Sequence, residues 1–156
     1  MIPINDYRQF IAELVNYAKQ EADFKEDTTI RLAVTESQLV NLLKDQPGVV
    51  VAGNIPGAEI SNATGWFKSE GECLLMVLEK MANDRQGTEK ECERYAQLQR
   101  LMTEIVKLLI NADGFDRFCD KGEIDYARPI VVEWEYNTYG GFNGLSATFM
   151  LKDNQG

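Results

Sequence analysis

Apolar side chains over Asn5–Ala22 recur three and four residues apart, which is the pattern of an amphipathic helix. Asn5 is the expected N-cap, since its side chain can accept a hydrogen bond from the first helical turn. Polar residues occupy the other positions, so we predict that one stripe of this helix is buried. The residues of that stripe are Tyr7, Phe10, Ile11, Leu14, Val15 and Ala18.

A short strand, a short helix and a second strand are predicted next. Thr35 and Gln38 have the spacing of a capping box, so a helix is expected over Thr35–Asp45. The β-branched run Val49–Ala52 after it predicts a strand. Before the helix, residues 29–34 alternate as a strand does, and the apolar side of that strand carries Ile30, Leu32 and Val34.

The segment Glu72–Glu79 is apolar at almost every position. Its apolar run is far shorter than the roughly 20 residues that a membrane helix needs. Apolar residues on both faces predict a central strand, covered on one side by helices. We expect a turn at Ser69–Gly71 before this strand and a loop over residues 57–64. Trp66 follows a glycine near that turn and is expected to be exposed.

A long second helix is predicted from Thr88 to Ala112. Thr88 and Glu91 form another capping box, and apolar residues then recur with helical spacing. We expect one buried stripe on an otherwise solvated helix. The residues of that stripe are Cys92, Tyr95, Leu98, Met102, Ile105 and Leu109.

The segment Pro129–Leu151 has the clearest strand pattern in the chain. Apolar residues occupy alternate positions on both sides of a glycine-rich stretch, which predicts a β-hairpin with one apolar face. A turn at Gly140-Gly141 competes with a turn at Asn143-Gly144. We favour Gly140-Gly141 because it sets Trp134 opposite Ala147 on a face that we expect to be buried.

These elements predict an α+β fold for a single domain of residues 1–156. The sheet is expected to be mostly antiparallel and to include the C-terminal β-hairpin. It should pack against the N-terminal helix and the long second helix.

The composition excludes several classes of catalytic and binding site. The chain has 16 basic and 25 acidic residues, a formal charge of −9 and no histidine. The absence of histidine excludes His-dependent catalytic triads and His-ligated metals. The acidic balance opposes nucleic-acid binding. The three cysteines form no CxxC, and the N-terminus has no secretory signal, so we expect a cytoplasmic protein without metal, cofactor or membrane partner.

Three groups of residues could carry chemistry. Glu133 and Glu135 share a strand face and could act as a hydrolytic carboxylate pair, but a solvated strand face already explains them, and a pair on one strand rarely flanks a scissile bond from opposite sides. The acidic residues of segment 113–125 lack the spacing of a calcium loop. The hairpin tip joins aromatic residues to glycines, and an exposed aromatic tip could dock a partner. The candidate interaction residues are Tyr136, Tyr139 and Phe142.

The order of elements resembles that of the small α+β neck and tail-completion proteins of tailed phages, including the tail-terminator type. The matching segments are Asn5–Ala22, Glu72–Glu79, Thr88–Ala112 and Pro129–Leu151. The resemblance implies a sheet packed on helices, a structural role in a ring of subunits, and a virion-associated location. The additional helix over Thr35–Asp45 departs from the simplest version of that pattern.

We therefore expect a non-enzymatic structural or assembly protein, with a homo-oligomer or another structural protein as the partner. A small regulatory or ligand-binding domain, with a cleft between sheet and helices, is the alternative. A carboxylate-based hydrolase is the third hypothesis.

Overall fold

The computed structural model describes residues 2–61, 68–80, 89–111 and 122–153. Within these ranges the chain forms three helices and seven strands. The helices are α1 (Ile4–Glu21), α2 (Glu36–Leu43) and α3 (Glu89–Ile110). The strands are β1 (Thr28–Ala33), β2 (Val49–Asn54), β3 (Glu59–Ser61), β4 (Lys68–Lys80), β5 (Gly122–Ile124), β6 (Val131–Thr138) and β7 (Phe142–Asp153).

The strands form one open sheet with the order β1-β2-β4-β7-β5. β3 pairs with the start of β4, on the same side of β4 as β2. β6 pairs with β7. Among the described strands, only β1 and β2, which α2 connects, run parallel, and every other pair is antiparallel. The predicted α+β class and the mostly antiparallel sheet are therefore confirmed, and β4 is the central strand.

Both faces of the sheet bury apolar residues. On one face, here called the α1–α3 face, Cys73, Leu75 and Val77 of β4 pack with α1 and α3. On the other face, the α2 face, Met76 and Leu78 of β4 pack with α2. The prediction of a helical cover on one side only was wrong, because the short helix after β1 lies against the second face.

Helix α1 buries all six predicted stripe residues. Its N-cap is Pro3 and not Asn5, because the helix begins at Ile4, two residues before the start that an Asn5 cap implies. The capping box of α2 is present in a modified form. The Gln38 N–H donates to Thr35 Oγ1 at 3.1 Å, while Gln38 Oε1 accepts from the Val34 N–H at 2.8 Å. Val34 lies beyond the end of β1 and is exposed, so it does not share the apolar side of that strand with Ile30 and Leu32 as predicted.

The expected turn at Ser69–Gly71 does not occur, because β4 runs without a break from Lys68 to Lys80. A Cβ atom on Gly71 would lie 2.5 Å from the carbonyl oxygen of Gly57. The glycine therefore permits a close backbone approach within the sheet and does not mark a turn. Within the expected loop over residues 57–64, Glu59–Ser61 forms β3.

Helix α3 buries five apolar residues, of which Leu98, Met102, Ile105 and Leu109 were predicted and Leu101 was not. Cys92 is exposed, which corrects its expected place in the stripe. The expectations for Trp66, the Thr88 cap and residues 113–120 fall outside the described residues. In the described part of the chain, none of the helices has the length and apolar character required to cross a membrane.

The hairpin of β6 and β7 turns at the predicted glycines but in a different register. Trp134 pairs with Leu145, two residues away from the predicted partner Ala147. The connection after Thr138 has three residues, which accounts for one residue of the shift. A β-bulge between Glu135 and Thr138 accounts for the other. The two single shifts leave the side chains of residues 131–135 on their predicted faces, because faces alternate with period two.

Candidate functional site

Strand β6 lies at one edge of the sheet and pairs only with β7 among the described strands. Its outward backbone N–H and C=O groups therefore have no strand partner within the described residues. Such an edge can template pairing with another chain. We refer to the outward side of β6, with its side chains, as the β6 edge.

Apolar side chains on the β6 edge are exposed on the α1–α3 face. Trp134 is 53% exposed and Tyr136 is 64% exposed, and Val132 is also exposed. The Trp134 ring contacts that of Tyr95 on α3, with the ring centroids 5.5 Å apart. Burial, followed by the hydrogen bond to Glu91, raises the pKa of Tyr95. The expectation that Trp134 lies in the core was wrong, because α3 reaches this edge strand through Tyr95 but leaves about half of the Trp134 side chain exposed.

The opposite face of β6 carries Val131, Glu133 and Glu135. Ser146 Oγ on β7 donates a hydrogen bond to Glu135 Oε1 at 2.9 Å. The two glutamates lie on the same side of one strand, so their carboxyl groups do not face each other across a cleft. This arrangement differs from the opposed pair that glycoside hydrolysis uses.

The three predicted interaction residues lie in different environments. Tyr136 is exposed on the β6 edge. Tyr139 is half buried and packs against the buried cluster of the α2 face, and burial, followed by the charge of Glu135, raises the pKa of Tyr139. Phe142 is 1% exposed, so its expected exposure at a projecting tip was wrong.

Phe142 is buried because it belongs to β7 and not to the turn. It pairs with Lys80 on one side and with Thr138 on the other. Its side chain packs with Met76 and Leu78 on the α2 face. The hairpin therefore ends on the body of the domain, and the exposed aromatic surface lies along β6.

A cleft of about 630 Å³ lies at the start of α3. Arg94 donates hydrogen bonds to the carboxylates of Glu26 and Glu79 in this cleft. The hydrogen bond to Glu26, followed by that to Glu79, raises the pKa of Arg94 against the effect of burial. The guanidinium is therefore charged and joins α3 to the segment before β1 and to β4.

A larger groove of about 830 Å³ lies along the outer edge of β1, and we refer to it as the β1 groove. Ile30 and Leu32 of β1 form part of its apolar wall, and Arg8 of α1 and Arg31 of β1 bring positive charge to it. The Arg31 guanidinium donates to Gln46 Oε1 and to the Ile30 carbonyl oxygen, each at 3.1 Å. These bonds hold the charged group at the edge of the sheet.

The described residues include no group of three or more Cys, Asp or Glu side chains placed to hold a metal ion. Asp125, the one member of the acidic segment whose side chain is described, accepts a hydrogen bond from the Ala127 N–H at 3.0 Å. This bond forms an Asx turn, which is a structural role.

Sequence reasoning placed the candidate surface at the hairpin tip and missed the edge position of β6. Two signals in the sequence point to an edge strand. Charged side chains at alternate positions protect exposed edges from self-pairing, and Glu133 and Glu135 fit that pattern. Proline is confined to edge strands and strand starts, and Pro129 lies two residues before the first residue of this strand.

Comparison of the chain with protein-family models and with curated proteins finds no significant match to either.

Proposed function

We propose that this chain is a non-enzymatic assembly protein that binds another subunit by strand addition at the β6 edge. The observation that carries the proposal is the exposure of Trp134 and Tyr136 on a strand whose outer edge has no partner among the described strands. Large aromatic residues are the commonest anchors of protein interfaces. An added strand supplies backbone hydrogen bonds, and the exposed side chains select the partner.

The biological setting that we propose follows the resemblance to phage neck and tail-completion proteins. A component of that kind acts through contacts between subunits. The open sheet edge supports such a role because it can extend the sheet from one subunit to the next. Tail or capsid genes beside the gene for this chain would support the setting, and a neighbourhood of metabolic genes would oppose it.

The molar mass of the protein in solution tests the assembly role. We expect sedimentation velocity to show association of the wild type that increases with concentration. The double variant Trp134→Ser, Tyr136→Ser should sediment as a monomer with a native circular dichroism spectrum. The variant Ile110→Ser, which changes an exposed apolar residue at the C-terminal end of α3, should associate as the wild type does. A wild type that stays monomeric at high concentration contradicts the proposal.

A ligand-binding domain is the alternative, and the β1 groove favours it. Apolar walls beside two arginines suit an anionic amphiphile. The anionic apolar dye ANS should then bind the wild type more tightly than Arg31→Ala. Equal binding to both proteins would remove the groove as a ligand site.

A further inference from the structure

The two edges of the sheet carry opposite charges on the same face. On the α2 face, β6 presents Glu133 and Glu135, and β1 presents Arg31. Among the described residues, Glu133 and Arg31 have no ion-pair partner of opposite charge. An incoming strand could therefore be recognised by charge at either edge.

Both edges carry apolar residues on the α1–α3 face. β6 presents Val132 and Trp134 there, and β1 presents Ile30 and Leu32, which are only partly buried. The edges therefore match in both properties, with apolar residues meeting on one face and opposite charges meeting on the other.

Strand direction permits this contact. β1 is parallel to β2, and the pairs β2–β4, β4–β7 and β7–β6 are each antiparallel, so β6 runs antiparallel to β1 within the sheet. A second copy placed beside the first in the same orientation brings its β1 antiparallel to β6. The sheet then continues across the boundary with both faces preserved.

We propose that β6 of one copy pairs with β1 of a second copy, and that Arg31 and Glu133 form the ion pair that selects this contact. This inference rests on the proposed function and names the partner strand for the β6 edge. With Arg31 opposite Glu133, Ile30 faces Trp134 and Leu32 faces Val132. All six residues of β1 then have partners on β6. Glu135 lies at the diagonal position, within reach of the same guanidinium.

Arg8 contributes to the proposed contact on the α1–α3 face. It is an exposed residue of α1 that lines the β1 groove above Ile30 and Leu32. An incoming Trp134 would enter the groove on this face. The Arg8 guanidinium can then stack on the indole, which is a favourable cation–π arrangement.

Pairing of β6 with β6 of a second copy is disfavoured by the same charges. A two-fold pairing centred on Trp134 sets Glu133 of each copy opposite Glu135 of the other. A pairing centred on Glu133 sets the two Glu133 carboxylates opposite each other. Like charges directly opposite each other destabilise a strand pair, and β1 offers a cation in that position.

A charge-exchange experiment tests the contact by sedimentation velocity. Glu133→Arg and Arg31→Glu should each raise the dissociation constant for self-association by about tenfold or more, since each sets like charges opposite each other. A chain that carries both changes should associate with nearly the wild-type constant. Glu21→Arg and Arg100→Glu alter the net charge by the same amounts at exposed helical positions and should leave association unchanged.

The outcomes separate this inference from the proposed function. If Glu133→Arg abolishes association and Arg31→Glu leaves it unchanged, β6 binds a different surface and the β1 contact is overturned. A natively folded double variant that stays monomeric also overturns it. If neither these changes nor the Trp134 and Tyr136 replacement affects association, the proposed function fails as well. Should Arg31→Glu not fold, Arg31→Gln removes the charge alone and must still weaken association.

Discussion

Tyr7 of α1 and Cys73 of β4 meet in the core on the α1–α3 face. The Tyr7 hydroxyl is buried and makes no hydrogen bond to an oxygen or nitrogen atom among the described residues. Burial, followed by the nearby Cys73, raises its pKa. Burial is also the main cause that raises the pKa of the Cys73 thiol to about 12. Both groups therefore remain protonated in the folded protein at pH values at which the same groups begin to ionise in the unfolded chain.

The Cys73 thiol should make stability fall as the pH rises. Its contribution is fully present below pH 9.0, the ordinary pKa of the thiol, and is lost as the pH rises toward 12. Urea unfolding of the wild type between these values should show a slope from this group approaching about 1.4 kcal/mol per pH unit. Cys73→Ala should remove that part of the slope, and Cys92→Ala, at an exposed site, should keep it. Equal slopes for all three proteins would contradict the assignment to Cys73.

Gly144 occupies a position on β7 that only glycine fits. Its φ is +155°, and a Cβ atom there would lie 1.9 Å from the Val77 carbonyl oxygen. The glycine permits β7 to pair closely with β4 at this point. The same requirement explains why Asn143-Gly144 reads as a turn in the sequence but lies within a strand.

Gly144→Ala should destabilise the protein strongly, by about 3 kcal/mol, because the clash is with backbone and cannot relax by side-chain rotation. Thermal or urea unfolding measures the effect. Gly57→Ala is the matched control, since a Cβ atom at Gly57 has no neighbour within 4 Å. A change below about 1 kcal/mol at Gly144 would contradict the close approach, because surface substitutions cause effects of that size.

Sequence patterns predict burial well where a helix packs across the sheet. The stripe of α1 follows from spacing alone, because a helix on a sheet buries one side along its whole length. Trp134 shows the limit of this reasoning. Alternation tells which residues share a side of a strand, but it does not tell whether another element covers that side.

At the scale of the element, β6 differs from the strands beside it. The central strands β2 and β4 bury residues on both faces, whereas no residue of β6 is fully buried. The three-residue connection and the bulge together set its register. Neither feature has a strong local signature here, so the predicted register of residues 131–135 was wrong by two residues while their predicted faces were kept.

Trp134 fluorescence should report an exposed indole. The variant Trp66→Phe leaves Trp134 as the only tryptophan, and in dilute solution we expect efficient acrylamide quenching with red-shifted emission. The indole should become protected as the protein concentration rises, because Trp134 lies in the proposed contact. The variant Trp134→Phe is the control and should show no concentration dependence. A protected, blue-shifted Trp134 in the dilute monomer would contradict the edge position of β6.

At the scale of the whole molecule, the fold class is predictable because element order and apolar content determine which layers can pack. The relation between the two sheet edges is not predictable in the same way. It depends on which strands end up outermost, and the chain order β1 to β7 differs from the spatial order. Only the spatial order shows that Arg31 and Glu133 lie on opposite edges of the same sheet.

Two different edges make the proposed contact heterologous, since each copy offers β6 to one neighbour and β1 to another. Such contacts close into rings or continue as filaments. A copy with a defective β6 can still accept a neighbour through its β1, but it cannot extend the assembly further.

An equal mixture of wild type and Glu133→Arg should therefore have a lower mean molar mass than the wild type at the same total concentration, as light scattering can measure. A two-fold pairing of β6 with β6 gives the opposite expectation. The arginine introduced by the substitution would then face the glutamates of a wild-type copy, and mixed dimers should form at least as readily as wild-type dimers. The Glu21→Arg variant in the same mixture should leave the mean mass unchanged. A mean mass that does not fall on mixing with Glu133→Arg would show that the assembly does not grow from β6 to β1.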